Sequence, residues 1–115
     1  MKRVVLRTLF LSLSICFGGD VNADDADDIA TYSIELKDHH FSPAEIHVAA
    51  GKPFIVTVTN DDSAPEEFEM LLPPLERVIR PGQQGKIRIK PLATGRFPFF
   101  GESDPDSARG AFISE

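Results

Sequence analysis

Glu67 and Glu69 stand on either side of Phe68, and further acids crowd the segment Phe99-Phe100-Gly101-Glu102-Ser103-Asp104-Pro105-Asp106. On an extended strand alternate residues share a face, so Glu67 and Glu69 are expected to project together. Carboxylate oxygens are hard donors, suited to ferric iron, manganese, calcium or magnesium. A cluster of anionic oxygens also stabilises ferric over ferrous iron, because the higher charge gains more from the same field. The competing reading is an acidic strand face that is simply solvated, as charged residues usually are.

Soft donors are missing from the same region. The only cysteine is Cys16, and Gly101 to Gly110 contains neither histidine nor methionine. His39, His40 and His47 all lie in the first half of the chain. His39 and His40 are adjacent, so on an extended chain they point to opposite sides and read as surface or hydrogen-bonded histidines. Met70, beside Glu69, reads as a gap-filling core residue. No Ser-His-Asp arrangement, activated thiol or phosphate-binding glycine loop is recognisable, which argues against an ordinary hydrolase.

The N-terminus has the layout of an export signal. Lys2, Arg3 and Arg7 precede an apolar run from Leu9 to Phe17 broken only by serines, and Val21-Asn22-Ala23 offers small residues for cleavage. The run is well short of the ~20 apolar residues that cross a bilayer. Ile15 is too bulky for the position before a lipid-modified Cys16. Residues 1–23 are therefore expected to be a signal peptide, 24–30 an acidic disordered leader, and 31–115 a single domain in a periplasmic protein without its own membrane anchor. Removing Lys2, Arg3, Arg7 and Asp20 with the signal leaves 9 basic against 17 acidic residues, a net charge of −8. That surface repels nucleic acid and anionic lipid, whose phosphates need clustered Lys and Arg. Cys16 leaves with the signal, so neither a disulfide nor a thiolate ligand is available afterwards.

The elements that must position the acids read as strands. Tyr32, Ile34 and Leu36 alternate with polar residues, Ile46 and Val48 follow, and Phe54 to Thr59 is rich in β-branched side chains. Phe68 to Leu72 is stopped by Pro73-Pro74. Leu75 to Ile79, Lys86 to Lys90, Arg96 to Phe100 and Gly110 to Ser114 complete the set. Ala50-Gly51-Lys52-Pro53, Asn60-Asp61-Asp62-Ser63 and Pro81-Gly82 are turn signals. No apolar helical periodicity runs for three turns. The fold class expected is all-β, an antiparallel sandwich of seven to eight strands. Pro98 marks an edge or a bulge in its strand; Phe97 and Phe99 face inward and Phe100 the other way.

Phe41-Ser42-Pro43-Ala44-Glu45-Ile46, Ala50-Gly51-Lys52-Pro53-Phe54, Pro65-Glu66-Glu67-Phe68-Glu69, Pro81-Gly82, Phe99-Phe100-Gly101-Glu102 and Ala108-Arg109-Gly110 together resemble one family. They are similar to the cupredoxin-like domains that accompany bacterial high-affinity iron permeases and their periplasmic iron-binding partners. The resemblance spans Ile34 to Ile113 and implies a Greek-key β-sandwich. It also implies that Glu67 and Glu69 approach Glu102, with Glu76, Asp104 and Asp106 as further metal candidates. Some relatives carry cysteine where Phe41 and Phe100 stand, or histidine where Asp104 stands, and this chain departs from them at each position. A blue-copper centre, which needs two His, a Cys and usually a weak axial Met, is excluded by the ligand inventory.

Two functions follow as expectations. One is an accessory metal protein of an iron-uptake system that binds iron, or helps oxidise ferrous iron, through carboxylates; iron is the expected metal, and copper the lesser one. Its partners would be a periplasmic iron-binding protein and a membrane iron permease. The other is a metal-free adaptor that keeps the fold only to dock onto that machinery.

Overall fold

The computed structural model describes residues 29–115. The predicted signal peptide, Cys16 and most of the acidic leader lie outside the described residues. Among those described there are nine strands and no helix, so none that is long and apolar enough to cross a membrane. They are β1 (Ala30–Lys37), β2 (His40–Ser42), β3 (Glu45–Val48), β4 (Phe54–Asn60), β5 (Glu66–Met70), β6 (Leu75–Ile79), β7 (Gln84–Ile89), β8 (Gly95–Gly101) and β9 (Arg109–Ser114). The all-β expectation is met, and β1 begins one residue ahead of the expected domain boundary. The strand missing from the sequence reading is β2, three residues long and too short to show an alternation.

Two sheets face each other, one in the order β2-β1-β4-β7 and the other β3-β9-β8-β5-β6. Most neighbours are antiparallel, but β1 runs parallel to β4 and β3 parallel to β9. Period-two patterning drives this arrangement. Ile34 and Leu36 of β1, Phe54, Val56 and Val58 of β4, Ile87 and Ile89 of β7, Phe68 and Met70 of β5, and Phe99 of β8 are all buried between the sheets. Phenylalanines bridge the layers: Phe68 and Phe99 have ring centroids 5.2 Å apart, Phe99 and Phe112 4.9 Å, and Phe112 and Phe54 5.0 Å. Phe41 closes the same chain of rings at one end, 5.7 Å from Phe68 and 5.5 Å from Phe99. Offset and edge-on contacts of this kind add to the area that aromatic side chains bury.

The loops at the Phe41 end are held by polar side chains. Asp38 and His39 form a two-residue turn between β1 and β2 with φ of 52° and 61°. Two successive positive φ values give the turn whose twist matches a hairpin, although Asn-Gly or Asp-Gly is the usual filling. The Asp62 carboxylate stabilises it, accepting the N–H of Asp38 at 2.6 Å and of His39 at 2.9 Å. Asp62 is positioned in turn by Asn60, fully buried at the end of β4. The Asn60 amide donates to the carbonyls of Ala64 and Ile79, and its oxygen accepts the N–H of Asp62. Every polar atom of that buried side chain thus has a partner.

Pro98 sits within a strand flanked on both sides in the sheet, and not at a sheet edge. Gly101 donates to the Ala108 carbonyl on the β9 side. Successive N–H groups alternate in direction, so the Pro98 nitrogen faces the β5 side, where pairing stops at Phe99. A missing donor costs nothing there.

Candidate metal centre

Strand β5 sorts its acids by face. Glu66, Phe68 and Met70 are buried, whereas Glu67 and Glu69 are half-buried on the outer face. The register then sets what lies beside them. Glu69 is opposite Glu76 on β6 and opposite Phe100 on β8, and Glu67 is opposite Val78. Phe68 pairs with Gly101, and beyond that pair the Glu102 N–H donates to the Glu67 carbonyl at 2.9 Å. The ladder therefore continues one residue past β8 and puts Glu102 beside Glu67. Directly opposed strand residues have Cβ atoms about 4.5–5.5 Å apart, within reach for carboxylates on one face.

The result is a cluster in which one carboxylate oxygen from each of Glu67, Glu69 and Glu102 lies within 4.8 Å of the others. Among the described residues none of these three, nor Glu76, forms a salt bridge with Lys, Arg or His. Unbalanced charge shows in the protonation equilibria. Partial desolvation, followed by the charges of Glu76, Glu102 and Glu69, holds the Glu67 carboxyl above its ordinary value. Glu69 is raised as well, first by desolvation, then by the charge of Glu76 and a side-chain hydrogen bond with it, and then by Glu102. A cation of high charge density is the natural counterpart of such a group.

The remaining candidates are distributed differently. Glu76 borders the trio through its pairing with Glu69. Asp104 does not join it: its carboxylate approaches His39 Nδ1 at 3.0 Å and groups with His39 and Glu66. The loop geometry explains this, because Asp104 donates its N–H to the Gly101 carbonyl while its own carbonyl accepts from Ala108 and Ser107, folding the loop back over the sandwich end. Asp106 belongs to neither three-residue group among the described residues. His40 Nδ1 is 2.8 Å from the Asp38 carbonyl and His47 Nδ1 is 2.8 Å from Glu115, so both are surface hydrogen-bonding groups. Glu66 and His39 were not among the expected metal candidates, yet the fold groups them with Asp104. Glu66 sits in an acidic run beside more prominent neighbours, and an Asp-His turn carries no glycine to announce it.

A type-1 copper ion does not fit these residues. Among the described residues neither cluster contains a cysteine, and the two groups together contain one histidine. Sulfur donors, which suit that ion, are replaced by oxygen.

The comparisons with known proteins agree on the scaffold. A family model described as a cupredoxin-like domain matches residues 7–113. An uncharacterised protein of Rickettsia prowazekii is 27% identical over 115 residues, covering 97% of this chain and 92% of that protein. Among solved structures, auracyanin A, described as a "blue" copper protein from Chloroflexus aurantiacus, superposes with a TM-score of 0.65 at 10% identity, covering 76% of this chain and 100% of that one. The metal-binding domain of the Streptococcus pneumoniae Cu(I)-exporting ATPase CopA gives a TM-score of 0.63 at 17% identity, covering 76% and 96%. At such identities the structural likeness is one of fold.

Proposed function

The chain belongs to the cupredoxin-like domain family, and we propose that it is an accessory protein of periplasmic iron uptake that binds iron through Glu67, Glu69 and Glu102. The observation that carries this reading is the convergence of three carboxylate oxygens, within 4.8 Å, none of whose residues forms a salt bridge among the described residues. Like charges directly opposed across strands are destabilising, so a bound cation would relieve a cost the apo fold carries. Oxygen donors favour ferric over ferrous iron, and Glu76 supplies a fourth carboxylate at the border. The resemblance of Glu67-Phe68-Glu69 and Phe99-Phe100-Gly101-Glu102 to iron-transport domains supports iron as the cargo. It also supports a periplasmic iron-binding protein and a membrane permease as the partners.

Anaerobic calorimetric titration of the protein with ferrous iron, repeated with copper(II), tests the reading. Saturable iron binding that disappears in Glu67→Gln/Glu69→Gln is expected. Iron binding no tighter than about millimolar in the unaltered protein would overturn it.

A docking role is the second reading, and a separate observation favours it. Leu71, Leu72 and Val78 are 73%, 69% and 60% exposed, and a cleft lined by Glu69, Leu71, Pro74, Leu75 and Glu76 adjoins the acidic face. Exposed apolar groups beside charge are the composition of a contact surface. If the fold serves docking alone, Glu69→Gln/Glu102→Gln leaves cellular iron uptake intact while Leu71→Ser/Leu72→Ser lowers it.

A further inference from the structure

Glu66 is the one buried carboxylate among the described residues, with 4% of its surface exposed. Its Oε2 accepts the N–H of Ser103 at 2.8 Å and of Glu67 at 3.2 Å. Its Oε1 has no hydrogen-bond partner among the described residues. Leaving a buried acceptor unpaired is costly, and more so when it carries charge. Space has nonetheless been made for it. A Cβ on Gly101 would lie 2.6 Å from Glu66 Cδ and 2.9 Å from Oε1. Only glycine at position 101 lets this carboxylate lie where it does, the close approach that a glycine inside a strand often marks.

What lies within reach is an imidazole and a second carboxylate. One ligand atom from each of His39, Glu66 and Asp104 lies within 4.8 Å of the others. His39 is presented by the Asp38-His39 turn, which Asp62 fixes through two backbone hydrogen bonds. Asp62 itself is 3.7 Å from His39 Nδ1, on the fringe of the group. The donors come from the β1–β2 turn, the start of β5 and the β8–β9 loop. An ion here would join segments that only the tertiary fold brings together. A histidine-carboxylate hydrogen bond accounts for Asp104 but leaves Glu66 Oε1 without a partner.

We propose that His39, Glu66 and Asp104 form a second metal site, distinct from the outer trio, that takes a divalent first-row transition ion such as Zn²⁺, Mn²⁺ or Fe²⁺. One nitrogen and two oxygen donors match the preferences of these ions, and the lack of sulfur disfavours Cu(I). Ligand bonds of about 2.0–2.2 Å place neighbouring donors roughly 3.3 Å apart around a tetrahedral ion. Contraction from the observed spread needs small side-chain rotations, with Glu66 held fixed and His39 and Asp104 closing in from the rim. Water would complete the coordination shell on the exposed side of His39.

The test uses Zn²⁺ as probe and the Glu67→Gln/Glu69→Gln protein as background, so that the outer trio is disabled. Calorimetry should still give a saturable site, and the His39 ring resonances should shift by NMR in step with it. His39→Asn, which tolerates the positive φ of the turn, and Asp104→Asn should each weaken Zn²⁺ binding at least about tenfold. Glu66→Gln, which keeps an acceptor for Ser103, should do the same without unfolding the protein. Loss of all Zn²⁺ binding in the background protein, or unmoved His39 resonances at saturation, overturns the proposal. So does tight binding that survives both His39→Asn and Asp104→Asn. None of these results depends on whether the outer trio binds iron.

Discussion

The two carboxylate groups begin one residue apart on β5 and obey opposite electrostatic rules. Glu67 and Glu69 stand half-buried on a sheet face, crowded by Glu76 and Glu102, with protonation shifted upward first by partial desolvation and then by their own company. Glu66 turns inward, loses nearly all contact with solvent, and is held by two backbone N–H groups in a space kept open by Gly101. The outer group is assembled by strand register, with its carboxylates on paired ladders. The inner group joins Glu66 on β5 to a turn that Asp62 holds in place and to a loop pinned by the Gly101 and Ala108 backbone. The contrast shows how alternating consecutive side chains of a single strand divides two donor sets at one end of a sandwich, all-oxygen outside and mixed nitrogen-oxygen inside.

The largest expected effect separates the groups by affinity. Glu67→Gln/Glu69→Gln should reduce iron affinity by at least about a hundredfold, since loss of ligands exceeds the loss typical of their supporting partners. It should leave the His39 response to Zn²⁺ in place. If one pair of substitutions abolishes both, the two groups are a single site.

Next comes Gly101→Ala. The added methyl meets Glu66 Cδ at 2.6 Å and the Ala108 Cβ at 2.9 Å, and overpacking of this kind costs about 1–3 kcal/mol. Urea unfolding measures that cost. Zn²⁺ binding at His39 should fall with it, while iron binding by the outer trio should survive in the folded fraction.

Asp62→Asn acts on the inner group through its scaffold. One of the two N–H groups of the Asp38-His39 turn then faces an amide in place of an oxygen, for a loss of about 1–2 kcal/mol. Burial alone would raise the Asp62 carboxyl, but the N–H groups of His39 and Asp38 outweigh it and hold the group below its ordinary value of 3.8. Its stabilising contribution is therefore complete above 3.8 and is lost as pH falls through the lower folded value. The Asp62→Asn protein should lack that component of acid sensitivity in a pH series of unfolding midpoints.

The smallest effect is a slope of opposite sign. Glu67 and Glu69 titrate above their ordinary 4.5 in the folded protein, so the folded state holds extra protons between 4.5 and the raised values. Their contribution is full below 4.5 and declines as pH rises through those values. Metal-free Glu69→Gln protein should lose less stability than the unaltered protein between about pH 4 and about pH 7. An unchanged slope would mean that neither desolvation nor mutual repulsion raises these carboxyls in the folded protein.

The parts written in alternation were legible in the sequence. The period-two runs around Ile34, Val56 and Ile87 identify strands, and Glu67 and Glu69 fall on one face because Phe68 must face inward. The approach of Glu102 rested on motif resemblance, since cross-strand register is a long-range property that no local window contains. The inner group was hidden for a different reason. Whether a glutamate beside Pro65 is buried depends on Gly101, distant in sequence, having no side chain. The Asp38-His39 turn depends on Asp62, which reads locally as a turn residue and acts on another loop. Pro98 suggested an edge, yet it lies in an interior strand at a point where its β5 neighbour has ended.

Among the described residues strand β6 is the outermost strand of its sheet, the edge position at which backbone groups can pair with another chain. Glu76 and the neighbouring trio place concentrated negative charge beside that edge, the kind of guard that discourages sheets from joining side by side. The same carboxylates proposed to receive a cation would then also discourage edge-to-edge pairing along β6. Neutralising them, by acid or by an excess of metal, would remove the guard along with the charge.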